Sequence, residues 1–191
     1  MIKIFENKIY RRILAILSFA CFMLSLIIHL FSVFGINIIK NEFFYFYFQV
    51  LMFIPFGAMV GISQPQFELY KQTDENNYQK WFFLFIPKWI KYAVYVLGIY
   101  IILNFALCLP MISTVQAEVL NGKYVLLPIK SEVLPEKVIR EISEQEYEWR
   151  KSYDTRAMSG FWMGFYLMPA LFFWYERKKS NWSASPNVKN A

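Results

Sequence analysis

Residues 13–34 read ILAILSFACFMLSLIIHLFSVF, 22 positions without a charged side chain. A bilayer's hydrocarbon core takes about 20 helical residues to cross. This stretch alone therefore argues for lipid rather than water as the surrounding solvent. A secretory signal core is about 7–15 apolar residues long and ends at a small-residue cleavage site. The run here continues through Leu30, Phe31, Ser32, Val33 and Phe34 and reads as an uncleaved anchor. Three further runs, 43–62, 90–112 and 158–175, repeat the pattern, the second of these entered past a basic residue, Lys91. The expected fold is an all-α integral membrane protein. Its core would be a four-helix transmembrane bundle, with 1–191 forming a single membrane domain.

Composition supports that reading. The chain is 57% hydrophobic, 20% aromatic and only 18% charged, whereas soluble domains carry about 45–50% apolar and about 25% charged residues. The formal charge of +6 does not point to nucleic acid. Its excess sits at span ends: Lys8, Arg11 and Arg12 before the first run, Arg177, Lys178 and Lys179 after the last. Basic residues in those places face anionic headgroups and set orientation, so the first partner expected is the lipid bilayer itself. Twelve Lys and Arg fall in the two termini and the 63–91 connection, against eight on the other side. Both termini are expected in the cytoplasm, which an even number of spans permits.

Several local features are legible. The aromatic cluster at 43–48 suits a headgroup-level belt. Pro55 with Gly57, and later Pro169, predict kinks inside spans. Trp81–Trp89 is broken by Pro87 and Lys88 and reads as an interfacial segment; the alternative is a third span that starts near Trp81 and bends at Pro87.

The long polar stretch, 113–157, holds eight acids and seven bases. That near balance predicts a folded, solvated cap on the outer side. Asn121-Gly122 lies between two β-favouring runs and supplies the two positive-φ positions of a tight hairpin. A lone hairpin is marginal in water, so it should rest on something else. Ser143-x-x-Glu146 is a capping-box pattern that opens a helix, and Glu146 with Arg150 forms an i, i+4 pair. Nothing breaks the helix before Gly160, which predicts one helix from about Glu144 into the membrane. Trp149, Tyr153, Ala157, Gly160 and Gly164 fall near one stripe of it. Gly160-x-x-x-Gly164 allows close helix approach, either to the chain's own first or third span or to a second copy.

Candidate sites are sparse. Cys21 and Cys108 lie within separate spans, without the paired arrangement a thiol oxidoreductase needs. His29, the single histidine, cannot build a zinc site alone. As an intramembrane ionisable residue it is a functional candidate by default. Gln49 and Asn104 are further intramembrane polar residues suited to interhelical hydrogen bonds. Arg150, Lys151 and Arg156 stand where the last helix enters the membrane, placed for snorkelling and pairing with loop carboxylates. Glu144, Glu146 and Glu148 read as a solvated face. No catalytic, phosphate-binding, metal or dinucleotide motif occurs, so no cofactor, no metal and no enzymatic activity are expected.

The segments NGKYVLL (121–127), KVIREISEQEYE (137–148) and RAMSGFWMGFY (156–166) together resemble a group of small, functionally uncharacterised bacterial four-span inner-membrane proteins. These carry a GKYVL…KVIREIS…EYE…R…SG-W segment ahead of their last span. In that group a His often precedes the Trp, where this chain has Phe161. The resemblance implies a bacterial inner membrane and this topology, and implies no activity. The functional expectation is a non-enzymatic interaction module whose cap residues Trp149, Arg150, Tyr153 and Arg156 bind a protein partner. An immunity-type protein facing a membrane-active toxin is its most concrete form. The alternative is a homo-oligomeric channel or small transporter subunit lined by Ser18, Ser25, His29, Gln49 and Asn104.

Overall fold

The computed structural model describes residues 8–40, 42–71, 78–84, 86–112, 115–128 and 139–175. The basic cluster Arg177, Lys178 and Lys179 and the start of the 137–148 segment lie outside these. Among the described residues, four helices are long and apolar enough to cross a membrane: α1 (Lys8–Val33), α2 (Glu42–Lys71), α4 (Lys88–Ile112) and α5 (Glu144–Trp174). A short helix, α3 (Tyr78–Phe83), precedes α4. Each long run becomes helical because its backbone polar groups have no other partner in an apolar solvent. The helices α1 and α2 outrun their charge-free cores, reaching back to Lys8 and on to Lys71.

α5 is the axis of the bundle, and its most extensive contact is with α1. The face that α1 offers is small: Ala15, Ser18, Cys21, Ser25, Ile28 and Ser32 are buried at helical spacing. Lipid gives helices no hydrophobic reason to associate, so small side chains that let backbones approach drive the pairing. α1 ends at Gly35, whose φ is +75°. Gly35 N–H donates to Ser32 O and Ile36 N–H to Phe31 O, both at 3.1 Å, which is a Schellman cap. A Cβ on Gly35 would also come within 3.2 Å of the Trp149 indole, so this turn seats the projecting part of α5.

The cap differs from the expected hairpin plus helix. β1 (Val115–Leu120) and β2 (Lys123–Pro128) pair antiparallel around Asn121-Gly122, with Leu120 opposite Lys123. The two turn residues have φ of 50° and 77°, as the dipeptide predicts. A third strand, β3 (Arg140–Glu141), adds to β2. Flanking bonds from Ile139 N–H to Leu126 O and Ile142 N–H to Tyr124 O, both 2.9 Å, extend it. This third strand supplies the support a lone hairpin lacks. Ser143 then caps α5, its hydroxyl accepting from Glu146 N–H. The Glu146 carboxylate does not close the box; it takes Arg140 and Arg150 instead, at 2.5 and 3.1 Å.

The segment before α4 also departs from the interfacial expectation. Trp81, Phe82, Phe83 and Ile86 are buried, in one cluster with Ala15, Met59, Phe172 and Phe173. They plug the end of the bundle remote from the cap. α4 starts afresh at Lys88, with the Pro87 carbonyl accepting from Ile90 and Lys91 N–H. α2 and α5 run on through Pro55 and Pro169.

Candidate functional site

Two features meet at the cap end of the bundle. The first is a knot of polar side chains joining α1, α4 and α5. The Ser159 hydroxyl lies 3.2 Å from the Arg156 carbonyl, to which it can donate, and 2.9 Å from His29 Nδ1. His29 Nε2 is hydrogen-bonded to the Tyr100 hydroxyl at 2.6 Å. The ring thus bridges the two hydroxyls through both of its nitrogens, the donor and acceptor roles following its tautomer. One turn along α4, Asn104 closes a two-bond clasp. Its Oδ1 accepts from Arg156 Nε at 2.5 Å, and its Nδ2 donates to Arg156 O at 3.3 Å.

Gly160 makes the knot possible. A Cβ there would stand 3.3 Å from Asn104 Nδ2 and 3.9 Å from His29 Cε1. The glycine pair of α5 therefore accommodates side chains from the chain's own first and third spans, with Gly164 facing Ile101 at 3.4 Å. Below the knot the interior is filled by Cys21, Ile28, Phe48, Met52, Trp162 and Tyr166. The Trp162 ring meets Phe48 at 4.8 Å, and the Tyr166 hydroxyl donates to Phe48 O at 2.8 Å.

The polar residues expected in the spans are thus not one set. His29 and Asn104 come together, but Gln49 faces outward from α2. Ser25 donates to Cys21 O within its own helix at 2.8 Å, and Ser18 is packed in the α1 face. Cys21 and Cys108 are both free and buried.

The second feature is a cleft of about 480 Å³ between cap and bundle. Its roof is the hairpin, through the cross-strand pair Val119 and Tyr124. Its wall is one stripe of α5, bearing Glu148, Lys151, Asp154 and Met158 at i, i+3, i+6 and i+10. Its floor is the α1–α2 connection with Asn37 and Lys40, and Tyr45 in the first turns of α2. Thr155 pins that floor to the wall, bonding the Tyr45 hydroxyl and donating to Asn37 Oδ1 at 3.0 Å. The roof is tied down by Tyr124 packed on Tyr147, ring centroids 4.8 Å apart. The Tyr124 phenol is held above its ordinary pKa by desolvation and by the carboxylates of Glu144 and Glu148.

The four residues expected to form one contact surface are divided. Trp149 and Tyr153 stack edge to face at 4.8 Å, with Trp149 41% exposed. Arg150 is held by Glu146. Arg156 turns inward to Asn104 instead of pairing with a loop carboxylate; it belongs to the knot. The residues missed in sequence were the partners Tyr100, Ser159 and Thr155 and the cleft residues Lys40 and Asp154. Tyr100 and Asn104 stand at i, i+4 on one face of α4, the one pattern that could have flagged them.

No protein-family model, curated protein or solved structure matches the chain.

Proposed function

We propose that this chain is a multi-pass protein of a bacterial inner membrane, with both termini cytoplasmic and the cap outside, acting as a non-enzymatic interaction module. Its partner is another protein at the membrane, and an immunity-type role against a membrane-active toxin is the most concrete form. The observation that carries the reading is the contrast between knot and cap. In the knot, His29, Asn104 and Arg156 bond to groups of the chain itself. On the cap, the Trp149–Tyr153 pair stands partly exposed beside Arg150. Trp, Tyr and Arg are the side chains that most often dominate binding energy. Basic clusters at the span ends and the resemblance of 121–166 support the orientation and the membrane.

Purification from native membranes in mild detergent, with mass spectrometry of what co-elutes, tests this. A stoichiometric second protein, lost on combined Trp149→Ala, Arg150→Ala and Tyr153→Ala substitution, is the expected result. A partner retained by the triple variant removes the cap as contact surface. Arg156 is left out because its loss would open the knot.

The second reading, a homo-oligomeric channel or transporter subunit, draws on the uncovered outer face of α4, which carries Tyr92 and Tyr95. A clean homo-oligomer that conducts ions in planar bilayers would replace the first reading with this one.

A further inference from the structure

We infer that the roofed cleft is a headgroup site for a zwitterionic phospholipid, one that carries an ammonium and a phosphate. The inference goes beyond the proposed protein partner. It rests only on α1, α2, α4 and α5 crossing a membrane.

Three observations carry it. The first is charge. The cleft presents two cations, Lys40 and Lys151, and two anions, Glu148 and Asp154. An anionic ligand would meet both carboxylates, and a cationic one both ammonium groups. A ligand with both charges complements the lining. On the wall the sign alternates every three residues, through Glu148, Lys151 and Asp154. Three residues of helix rise about 4.5 Å, a spacing suited to an ammonium and a phosphate joined by a two-carbon linker. Asp154 makes no hydrogen bond or ion pair among the described residues, and the charge that acts on it is Lys151, one turn back on the same wall; its oxygens can still take an ammonium.

The second observation is the aromatic lining. Tyr45, Tyr124 and Tyr147 all border the cavity. Lys151 Nζ already lies 5.9 Å from the Tyr147 centroid, showing that this ring's face accepts an ammonium.

The third is depth. The floor is the short connection between two spans, and Met158 on the wall begins the apolar run of α5. Both put the opening at headgroup level. Ile39 and Met158 offer apolar surface on the membrane side, where a glycerol backbone and acyl chains would descend. At about 480 Å³ the cavity falls within the roughly 300–1,000 Å³ range of small-ligand sites. A soluble zwitterion would need none of this apolar edge.

The test is lipid retention. The full chain is purified in mild detergent and exchanged into nanodiscs of mixed phosphatidylethanolamine and phosphatidylglycerol. Lipid held after re-extraction is then counted by native mass spectrometry. The two lipids share a phosphate but differ in the ammonium. The unaltered protein should retain the ethanolamine lipid by at least about fivefold over the glycerol lipid. Asp154→Asn, which removes the ammonium's partner, should bring that preference close to one, and Lys40→Gln, which removes a contact to the shared phosphate, should lower retention of both lipids about tenfold. Lys123→Gln, at the hairpin tip, should leave preference and retention unchanged. Equal retention of both lipids by the unaltered protein overturns the inference, and so does a preference that survives Asp154→Asn or a retention that Lys40→Gln leaves unchanged.

A competition on the unaltered protein guards against misfolded variants. Glycerophosphoethanolamine, which has the headgroup without acyl chains, should lower the retained ethanolamine lipid. Binding of this soluble compound as tightly as the lipid would identify a free phosphoethanolamine as the occupant and overturn the lipid assignment. Displacement by a basic peptide without any lipid preference would also overturn it. Because no protein partner enters the experiment, its failure leaves the proposed interaction role standing, and the reverse holds.

Discussion

α5 and α4 are both long enough to span a membrane, and the less apolar of them is the one buried. Within their most apolar stretches, 56% of α5 lies inside the molecule against 11% of α4. In water the order would be the reverse. In lipid, Ile99, Ile102, Leu103 and Leu107 on α4 meet tails as apolar as themselves and gain nothing by turning inward. α5 goes inside because its surface fits: Ser152, Thr155, Ser159 and Gly160 let α1, α2 and α4 close on it, and Thr155 and Ser159 bond to side chains of its neighbours. Burial here is decided by side-chain size and hydrogen bonding, with hydropathy selecting only which segments enter the membrane.

The comparison breaks if the two helices respond alike to truncation. Trp162 is fully buried against Phe48, so Trp162→Ala should cost about 3–5 kcal/mol from lost packing and the cavity left behind. Leu103 is 59% exposed, and Leu103→Ala should stay within about 0.5 kcal/mol. Reversible unfolding in mixed micelles reads both. Equal losses would mean that α4 is buried in the working state, most simply against a second copy.

A finer version uses glycines. On Gly160 a Cβ would press Asn104 Nδ2 at 3.3 Å, and Asn104 cannot yield without loosening its clasp on Arg156. Gly160→Ala should therefore cost about 1–3 kcal/mol by overpacking. Gly98 on α4 has nothing within 4 Å of that position. Gly98→Ala should be neutral or stabilising by up to about 1 kcal/mol, the helix-propensity gain. The same substitution thus reports opposite signs if α4 is peripheral, and the same sign if it is not.

These residues also show where reading the sequence stops. The four long helices were legible because charge is excluded from 13–34, 43–62 and 158–175 and nearly so from 90–112. The hairpin turn and the α5 start were legible because Asn121-Gly122 and Ser143 act on neighbours two or three residues away. β3 was not, since two residues carry no periodicity. Trp81 and Phe82 looked interfacial because aromatic residues beside a Pro-Lys break suit a headgroup belt equally well; only the packed ends of α1 and α5 show that they fill a core. The knot was least legible. His29 finds its partners 71 and 130 residues away, and no local pattern encodes which faces of three helices meet. Arg156 sharpened the error: beside a polar loop it promised an ion pair, but its neighbour across the helix interface is an amide.

The smallest effect in this set compares the knot with the cap. A double-mutant cycle on His29→Ala and Ser159→Ala should give a coupling of about 0.6 kcal/mol, and no more than about 1.7, the range found for interhelical hydrogen bonds in membranes. The bond has ordinary length at 2.9 Å and both residues are buried, yet the gain is modest because the separated helices also find polar partners. The Lys123–Glu141 pair on the cap is shorter, at 2.6 Å, but its side chains are 65% and 62% exposed. Its cycle should lie near zero, within about 0.5 kcal/mol, and fade with added salt. The ordering follows solvent access, not distance. A cap coupling as large as that of the knot would mean the hairpin tip is shielded from water, as it would be with a partner seated on the cap.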